Sequence, residues 1–331
     1  MRGARAGLMQ TKRLGTQGPD ITRVGLGTWA IGGPYEFGWG PIDDDDSIAA
    51  IRHAIESGVN WIDTAPVYGL GHSEEITGLA VKPWKAGHEV FIFTKCGRNY
   101  YGPSAGISSD LRPATIRREC DESLGRLGVE RIDLLQFHWP DPTTGTAIED
   151  SWGTMAELID EGKVRWGGVS NFDIPLLERC EAIRHVDSLQ PPLNLINRAA
   201  RDDVIPWCLE HGTGVIAYAP MASGLLTGKF DLRGAEALAP DDWRRRSPNF
   251  QEPDLSRNLR LVERLRPVAS RLETSLAALA VAWTLAVPGV TGAPVGAKRR
   301  EHVDGWIGAG DLHLTEQDLG EIELAISETR E

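Results

Sequence analysis

Short apolar runs and stretches of helical period alternate along this 331-residue chain from about residue 21 to its end, with no linker that separates two halves. The runs Ile21–Leu26, Val59–Asp63, Val90–Lys95, Ile132–His138, Val164–Ser170, Ser188–Pro191, Gly214–Ala219 and Val290–Val295 read as strands. Several are rich in the β-branched and aromatic residues that suit a pleated, buried surface. Between them Asp45–Ser57, Ser73–Leu79, Arg112–Leu127, Ile148–Glu161, Pro175–Ile183 and Asp202–His211, then 255–272 and 275–287, read as helices, and one more starts near Thr315. The punctuation agrees: acidic Asp43–Asp46 lead into the first helix, and Gly128, Gly162 and Gly212 stand just past the ends of three others. Strand–helix alternation at this spacing implies a parallel sheet. Eight such units in one chain imply an α/β fold of the (β/α)8 TIM-barrel type, a single domain from Met9 onward. Such a barrel gathers its reactive polar residues at the C-terminal ends of the strands. The Gly-, Pro- and Arg-rich stretch 221–254 after the seventh strand is too long for a passive connection, and a lid or binding loop is expected there.

Composition narrows the partners. The net charge of −12 repels nucleic acid and anionic membrane, so neither is expected to bind. No apolar run approaches the ~18 residues of a membrane span. The first eight residues, Met1–Leu8, have arginines but no apolar core, so they do not read as a secretory signal; a disordered extension is expected. Cys96, Cys120, Cys180 and Cys208 lie far apart without C-x-x-C spacing, which argues against zinc and disulfides and suits a reducing cytoplasm. His53, His88, His185, His211 and His313 have no partner at ligand spacing, and no metal is expected. Gly25-Leu26-Gly27-Thr28-Trp29-Ala30 matches a dinucleotide-binding G-x-G-x-x-A after a strand, but the chain continues into Gly32-Gly33-Pro34, which cannot open the helix that motif needs.

The strand ends carry the chemistry. Asp63 ends the second strand and Tyr68 follows five residues on; Lys95 ends the third and His138 the fourth. Ser170-Asn171 end the fifth, Gln190 lies on the sixth and Tyr218 near the end of the seventh. Each alone has a structural explanation, as a cap, a packed ring or a solvated strand end. Together they form a carbonyl-reducing set. An acid must protonate the developing alkoxide, and a tyrosine phenol can do so if a lysine ammonium favours its phenolate. A carboxylate keeps that lysine charged and in place, and a histidine orients the carbonyl oxygen.

Here the chain resembles the aldo-keto reductase family from about Met9 to the C-terminus. The resemblance is carried by Asn60-Trp61-Ile62-Asp63-Thr64-Ala65-Pro66-Val67-Tyr68-Gly69, Phe93-Thr94-Lys95-Cys96, Asp133-Leu134-Leu135-Gln136-Phe137-His138-Trp139-Pro140-Asp141 and Gly167-Gly168-Val169-Ser170-Asn171-Phe172, in order. It implies an NADPH-dependent oxidoreductase without metal that acts on a small-molecule carbonyl substrate. Tyr68 would be the acid, Lys95 and Asp63 its tuners and His138 the orienting group. It implies that Ser170, Asn171 and Gln190 hold the nicotinamide carboxamide, that Tyr218 stacks on the ring, and that Ala219 replaces a usual serine. Pro220, Met221, Gly224, Leu225 and Lys229 resemble the loop along the pyrophosphate. Pro294 to Lys298, with Gly296 and Lys298 foremost, resemble the stretch near the adenosine 2′-phosphate. The family often has Arg or Gln where His302 stands, and an acidic residue then Asn where Gly305-Trp306 stand.

Of the aromatic residues Trp29, Trp39, Tyr100, Tyr101 and Trp139 in loops at the reactive end, Trp29 and Trp139 flank the constellation and are expected to line the substrate pocket. Arg244-Arg245-Arg246 is either a solvated run or a phosphate contact. A regulatory NADPH-binding protein on the same barrel, resembling potassium-channel β subunits, is the second reading; the complete tetrad favours an enzyme.

Overall fold

Eight parallel strands hydrogen-bond in sequence order and close on themselves: β1 (Val24–Gly27), β2 (Trp61–Asp63), β3 (Phe91–Cys96), β4 (Ile132–Phe137), β5 (Val164–Ser170), β6 (Ser188–Gln190), β7 (Gly214–Ile216) and β8 (Val290–Gly296). The ring is sealed by β8 against β1, from Ala293 opposite Val24 to Gly296 opposite Gly27. The computed structural model describes residues 9–84, 90–100, 106–240 and 242–329, so the expected extension Met1–Leu8, His88 and Tyr101 lie outside it. The helices that wrap the barrel include α1 (Asp44–Glu56), α2 (His72–Val81), α3 (Pro113–Leu127), α4 (Ile148–Asp160), α5 (Ile174–Glu181), α6 (Val204–His211), α7 (Asp254–Arg271), α8 (Leu276–Ala286) and α9 (Glu316–Ser327). Among the described residues no helix is long and apolar enough to cross a membrane.

Local chemistry sets the boundaries. Asp43 caps α1 by accepting the Asp46 amide, and Asp44–Asp46 sit in the first turn, where the positive end of the helix favours acidic groups. Asp44 and Asp46 also pair with His72 and Arg299, so the acidic run is used by the surface. Thr315 and Asp318 cap α9 reciprocally.

The structure corrects three sequence expectations. The run Ile21–Leu26 is two strands, because Asp20–Thr22 pairs antiparallel with Thr11–Arg13 and the chain turns into β1 only after Arg23. Arg23 holds that break by donating to the carbonyls of Val290 (2.9 Å) and Thr291 (2.7 Å). The helix expected over 202–211 is interrupted at Asp203, between Ala199–Asp202 and α6. The connection after β3, expected as loop, contains an antiparallel hairpin, Arg98–Tyr100 with Ile107–Ser109.

Inside the barrel, side chains on one strand alternate inward and outward. Trp61 and Asp63 of β2, and Phe91, Phe93 and Lys95 of β3, therefore stack on one face. Trp61, Phe91, Phe93, Leu134 and Ile216 form an apolar floor, closed from below by Leu14 and Ile21 of the N-terminal hairpin. The indole of Trp61 lies 5.3 Å from the Phe93 ring and donates to Thr22 O (2.8 Å). It occupies the space beside Gly25, where an added Cβ would come within 2.2 Å of the indole. That contact, and not phosphate binding, accounts for the first glycine of the dinucleotide-like motif. Gly25→Ala should destabilise the fold by about 1–3 kcal/mol or more through overpacking, read as a lower denaturation midpoint in urea; an unchanged midpoint would show that the floor yields freely.

Candidate active site

At the C-terminal mouth the strand-end residues converge. Lys95 is fully buried and Asp63 nearly so, and Lys95 Nζ donates to Asp63 Oδ2 (2.7 Å), to Thr64 O (3.0 Å) and to the Tyr68 hydroxyl (3.4 Å). The other carboxylate oxygen of Asp63 accepts from Gln190 Nε2 (2.8 Å), which ties β2 to β6 across the barrel. Tyr68 reaches this position because the turn after β2 is pressed against the loop after β1. Gly69 takes φ +63°, and a Cβ there would lie 1.8 Å from Gly32 O. The imidazole of His138 meets the Tyr68 ring edge to face, with centroids 5.7 Å apart.

The electrostatics reverse one expectation. Tyr68 has its pKa raised well above the ordinary value by burial, then by the Asp63 carboxylate, Tyr35 and Tyr218. From sequence, Lys95 is expected to lower it. Lys95, however, is matched by a carboxylate at 2.7 Å, so little net positive charge faces the phenol. Burial lowers the Lys95 pKa, opposed by Asp63. Burial, with the charges of Lys95 and Arg98, holds His138 well below its usual range, so the ring is neutral at physiological pH.

Next to this cluster Ser170, Asn171, Gln190 and Tyr218 bond to one another. Ser170 Oγ donates to Gln190 O (2.7 Å), and the Tyr218 hydroxyl donates to Asn171 Oδ1 (2.9 Å). Asn171 Nδ2 spends its hydrogens on His138 O (3.1 Å) and Ser170 Oγ (3.0 Å). The Tyr218 ring is thereby held as a flat wall. Asn171, Ala219, Ala222 and Ser223 all have positive φ, followed by Gly224 at +99°. Such strained backbone persists only where the surroundings over-determine it, and it clusters at functional sites.

One cavity of about 610 Å3 runs past Tyr68, His138, Trp29 and Trp139, along Ser170, Asn171, Gln190, Tyr218, Ala219, Pro220, Met221 and Gly224, to Lys229, Gly296, Lys298 and His302. A flat aromatic wall flanked by side-chain amides at one end and cations at the other, in a space of this size, fit an elongated molecule with an aromatic ring and phosphates. Leu225 is different: it is fully buried in the core and does not line the cavity. Lys95 lies behind the wall and touches the Tyr68 hydroxyl, which lines it. Lys298 Nζ donates to Trp39 O (2.6 Å), leaving two further hydrogens, and Lys298 N donates to His302 Nδ1 (3.3 Å). Arg244 pairs with Asp242 (2.6 Å), Arg245 donates to Leu238 O (2.9 Å) and Arg246 to Glu36 O (3.5 Å), so this trio binds the long loop to itself and to its neighbour and does not line the cavity.

The structure also adds wall residues that the sequence reading did not assign there: Tyr35, Phe37, Arg98, Ile107, Ser223, Thr227 and Trp306. The turn-rich sequences after the first and third strands signal Tyr35, Phe37, Arg98 and Ile107, and the long stretch 221–254 signals Ser223 and Thr227. Trp39 lines the cavity too, whereas Tyr100 is exposed and lies off it.

The sequence model of the Aldo/keto reductase family matches residues 23–326. The chain is 35% identical over 322 residues to the aldo-keto reductase YhdN of Bacillus subtilis (strain 168), covering 97% of this chain and 95% of that one. It is 32% identical over 317 residues to the NADH-specific methylglyoxal reductase of Escherichia coli (strain K12), covering 92% and 94%. The structure of the glycerol dehydrogenase AKR11B4 from Gluconobacter oxydans superimposes with a TM-score of 0.86 at 36% identity, over 96% of this chain and 95% of that one. The barrel and its site are those of an oxidoreductase acting on carbonyl and CH–OH groups. The chain belongs to the aldo-keto reductase family, whose members use a nicotinamide cofactor.

Beneath the hairpin that follows β3 lies a buried carboxyl that no sequence motif marks. Glu119 of α3 accepts the amide of Gly97 (2.7 Å), and burial pushes its pKa up to about 7. Folded Glu119 thus holds its proton at pH values where the unfolded chain, near 4.5, has lost it. Its contribution to stability is complete below about 4.5 and is lost as pH rises through about 7. Glu119→Gln, which keeps the acceptor for Gly97, should remove this loss, so its thermal midpoint should gain on wild type between pH 5 and 8 (roughly the span of that titration). Parallel curves for the two proteins would assign Glu119 an ordinary pKa.

Proposed function

We propose that this chain reduces an aldehyde, ketone or sugar carbonyl to the alcohol, reversibly, with NADPH as cofactor and Tyr68 as proton donor. The observation that carries the reading is the junction of Tyr68, Lys95, Asp63 and neutral His138 on the wall of one cavity. When bound, the nicotinamide supplies a hydride to the carbonyl carbon. His138, neutral, offers a ring N–H to the carbonyl oxygen and fixes its direction. Tyr68, protonated throughout the neutral range, gives its proton to that oxygen as the carbonyl π pair becomes the alcohol's O–H bond. The phenolate left behind is stabilised by the Lys95 ammonium, which Asp63 and Thr64 O hold in place. In the reverse direction the same phenolate takes the proton back.

Ser170, Asn171 and Gln190 would hold the carboxamide, and Tyr218 would back the ring. Asn171 must release one of its internal hydrogen bonds to do so. Lys298 and Lys229 are the cations placed for phosphate, and a 2′-phosphate on Lys298 would favour NADPH. The E. coli relative carries NADH-specific in its name, so the cofactor preference must come from this chain's own residues.

Tyr68→Phe should lower kcat by about 10²-fold or more, the size of general acid catalysis, with cofactor affinity barely changed; reduction at the wild-type rate would remove Tyr68 from the role. Because its pKa is raised, the rate of reduction should stay level through neutral pH and fall only on the alkaline side. Lys298→Ala should weaken NADPH binding by about 10–100-fold and leave NADH almost untouched. Fluorescence titration of both cofactors decides this, and an equal loss for both would place the 2′-phosphate elsewhere.

A further inference from the structure

We propose that Arg98 recognises a carboxylate on the substrate, so that the preferred carbonyl compounds of this enzyme are oxo acids; the proposal rests on the carbonyl-reducing reading of the same site. Arg98 begins the hairpin that follows β3 and lines the cavity together with Tyr68, His138 and Trp139. Its contacts are weak. Nη1 lies 3.4 Å from Ser109 Oγ, and the guanidinium sits 5.9 Å from the Trp139 ring centre. Among the described residues it has no carboxylate within ion-pair distance, in a chain whose other arginines on neighbouring elements do: Arg112 on Asp110, Arg117 on Glu157 and Glu161, Arg126 on Glu74. Exposed Glu36 attracts it only from further away.

A half-buried guanidinium with no carboxylate in ion-pair contact carries a desolvation cost that a fitting anion removes. The wall beside Arg98 is Tyr35, Phe37, Ile107 and Trp139, which can hold a carbon chain but offers no second charge. The planar guanidinium matches the two oxygens of a carboxylate. At −12 net charge the protein as a whole repels anions, so a local cation in the pocket is what an anionic substrate would need.

The test compares ω-oxo acids with their methyl esters, for example 4-oxobutanoate and methyl 4-oxobutanoate, on wild type, Arg98→Gln and Arg98→Lys. Wild type should favour the acid. Arg98→Gln should lose about 10–100-fold more in kcat/KM for the acid than for the ester, the size of one charge-assisted bond. Arg98→Lys should fall between. The preference of wild type should shrink as salt is raised. A second readout avoids turnover: binding of the unreactive diacid succinate, followed by tryptophan fluorescence, should be lost in Arg98→Gln. Equal losses on acid and ester would mean that Arg98 acts through His138 or the hairpin, and would overturn the proposal, as would a wild type that favours the ester. Succinate binding through Arg98 without reduction of any aldehyde would instead keep the anion site and remove the carbonyl-reducing reading.

Discussion

A lysine ammonium and an aspartate carboxylate, 2.7 Å apart and both shut away from solvent, are what the mouth of this barrel is built around. Two such charges are tolerable inside a protein only if each finds further hydrogen-bond partners. The partners come from two parts of the ring, β6 and the turn after β2. Gln190 of β6 serves Asp63, the backbone of Thr64 serves Lys95, and Tyr68 shares the remaining side of the ammonium. Meeting that demand draws β2, β3 and β6 together and places the Tyr68 hydroxyl, which touches the pair, on the cavity wall. The apolar floor below, with Trp61 and Phe93, keeps the pair dry from beneath.

The strand ends were legible because two rules act together. Period-two alternation puts Asp63 above Trp61 and Lys95 above Phe93, and a parallel barrel sends all strand C-termini to one side. Trp61 to Asp63 thus states one floor residue and the acidic half of the reactive pair, and Phe93 to Lys95 states the other half. The hairpin Arg98–Tyr100/Ile107–Ser109 was not legible, since three-residue strands joined through Gly- and Pro-containing sequence leave no periodic trace. The break at Arg23 was hidden for another reason: its cause is three carbonyls around residues 285–291, far away in the chain. The direction of the Tyr68 shift does not follow from the Lys95–Asp63 pair as read in sequence, because burial is its largest cause and the Asp63 carboxylate adds to it. Leu225, which motif order put beside the pyrophosphate loop, is claimed by the core, because neighbouring residues in a tight turn face opposite ways.

The cavity's far end shows how little a cluster of basic residues says by itself. Arg299 pairs with Asp46, Arg244 with Asp242, and Lys298 already donates to a backbone carbonyl. Each of these three cations has an internal use, and the arrangement allows Lys298 an added role because an ammonium has hydrogens to spare.

The long loop after β7 does not merely lie near the cavity. Its Trp243 packs on Trp29 and Trp39 of the loop after β1, with ring centres 5.2 and 5.9 Å away, and those two indoles are 5.4 Å from each other. Aromatic contacts of this kind contribute roughly 0.5–1.5 kcal/mol each beyond the area they bury. Trp29 and Trp39 are cavity wall, so the three rings form a clasp between the two sides of the opening. Parting the loops means parting the indoles. The residence time of anything long enough to lie beneath them therefore includes a term set by tryptophan packing, independent of how well the reacting groups do their work.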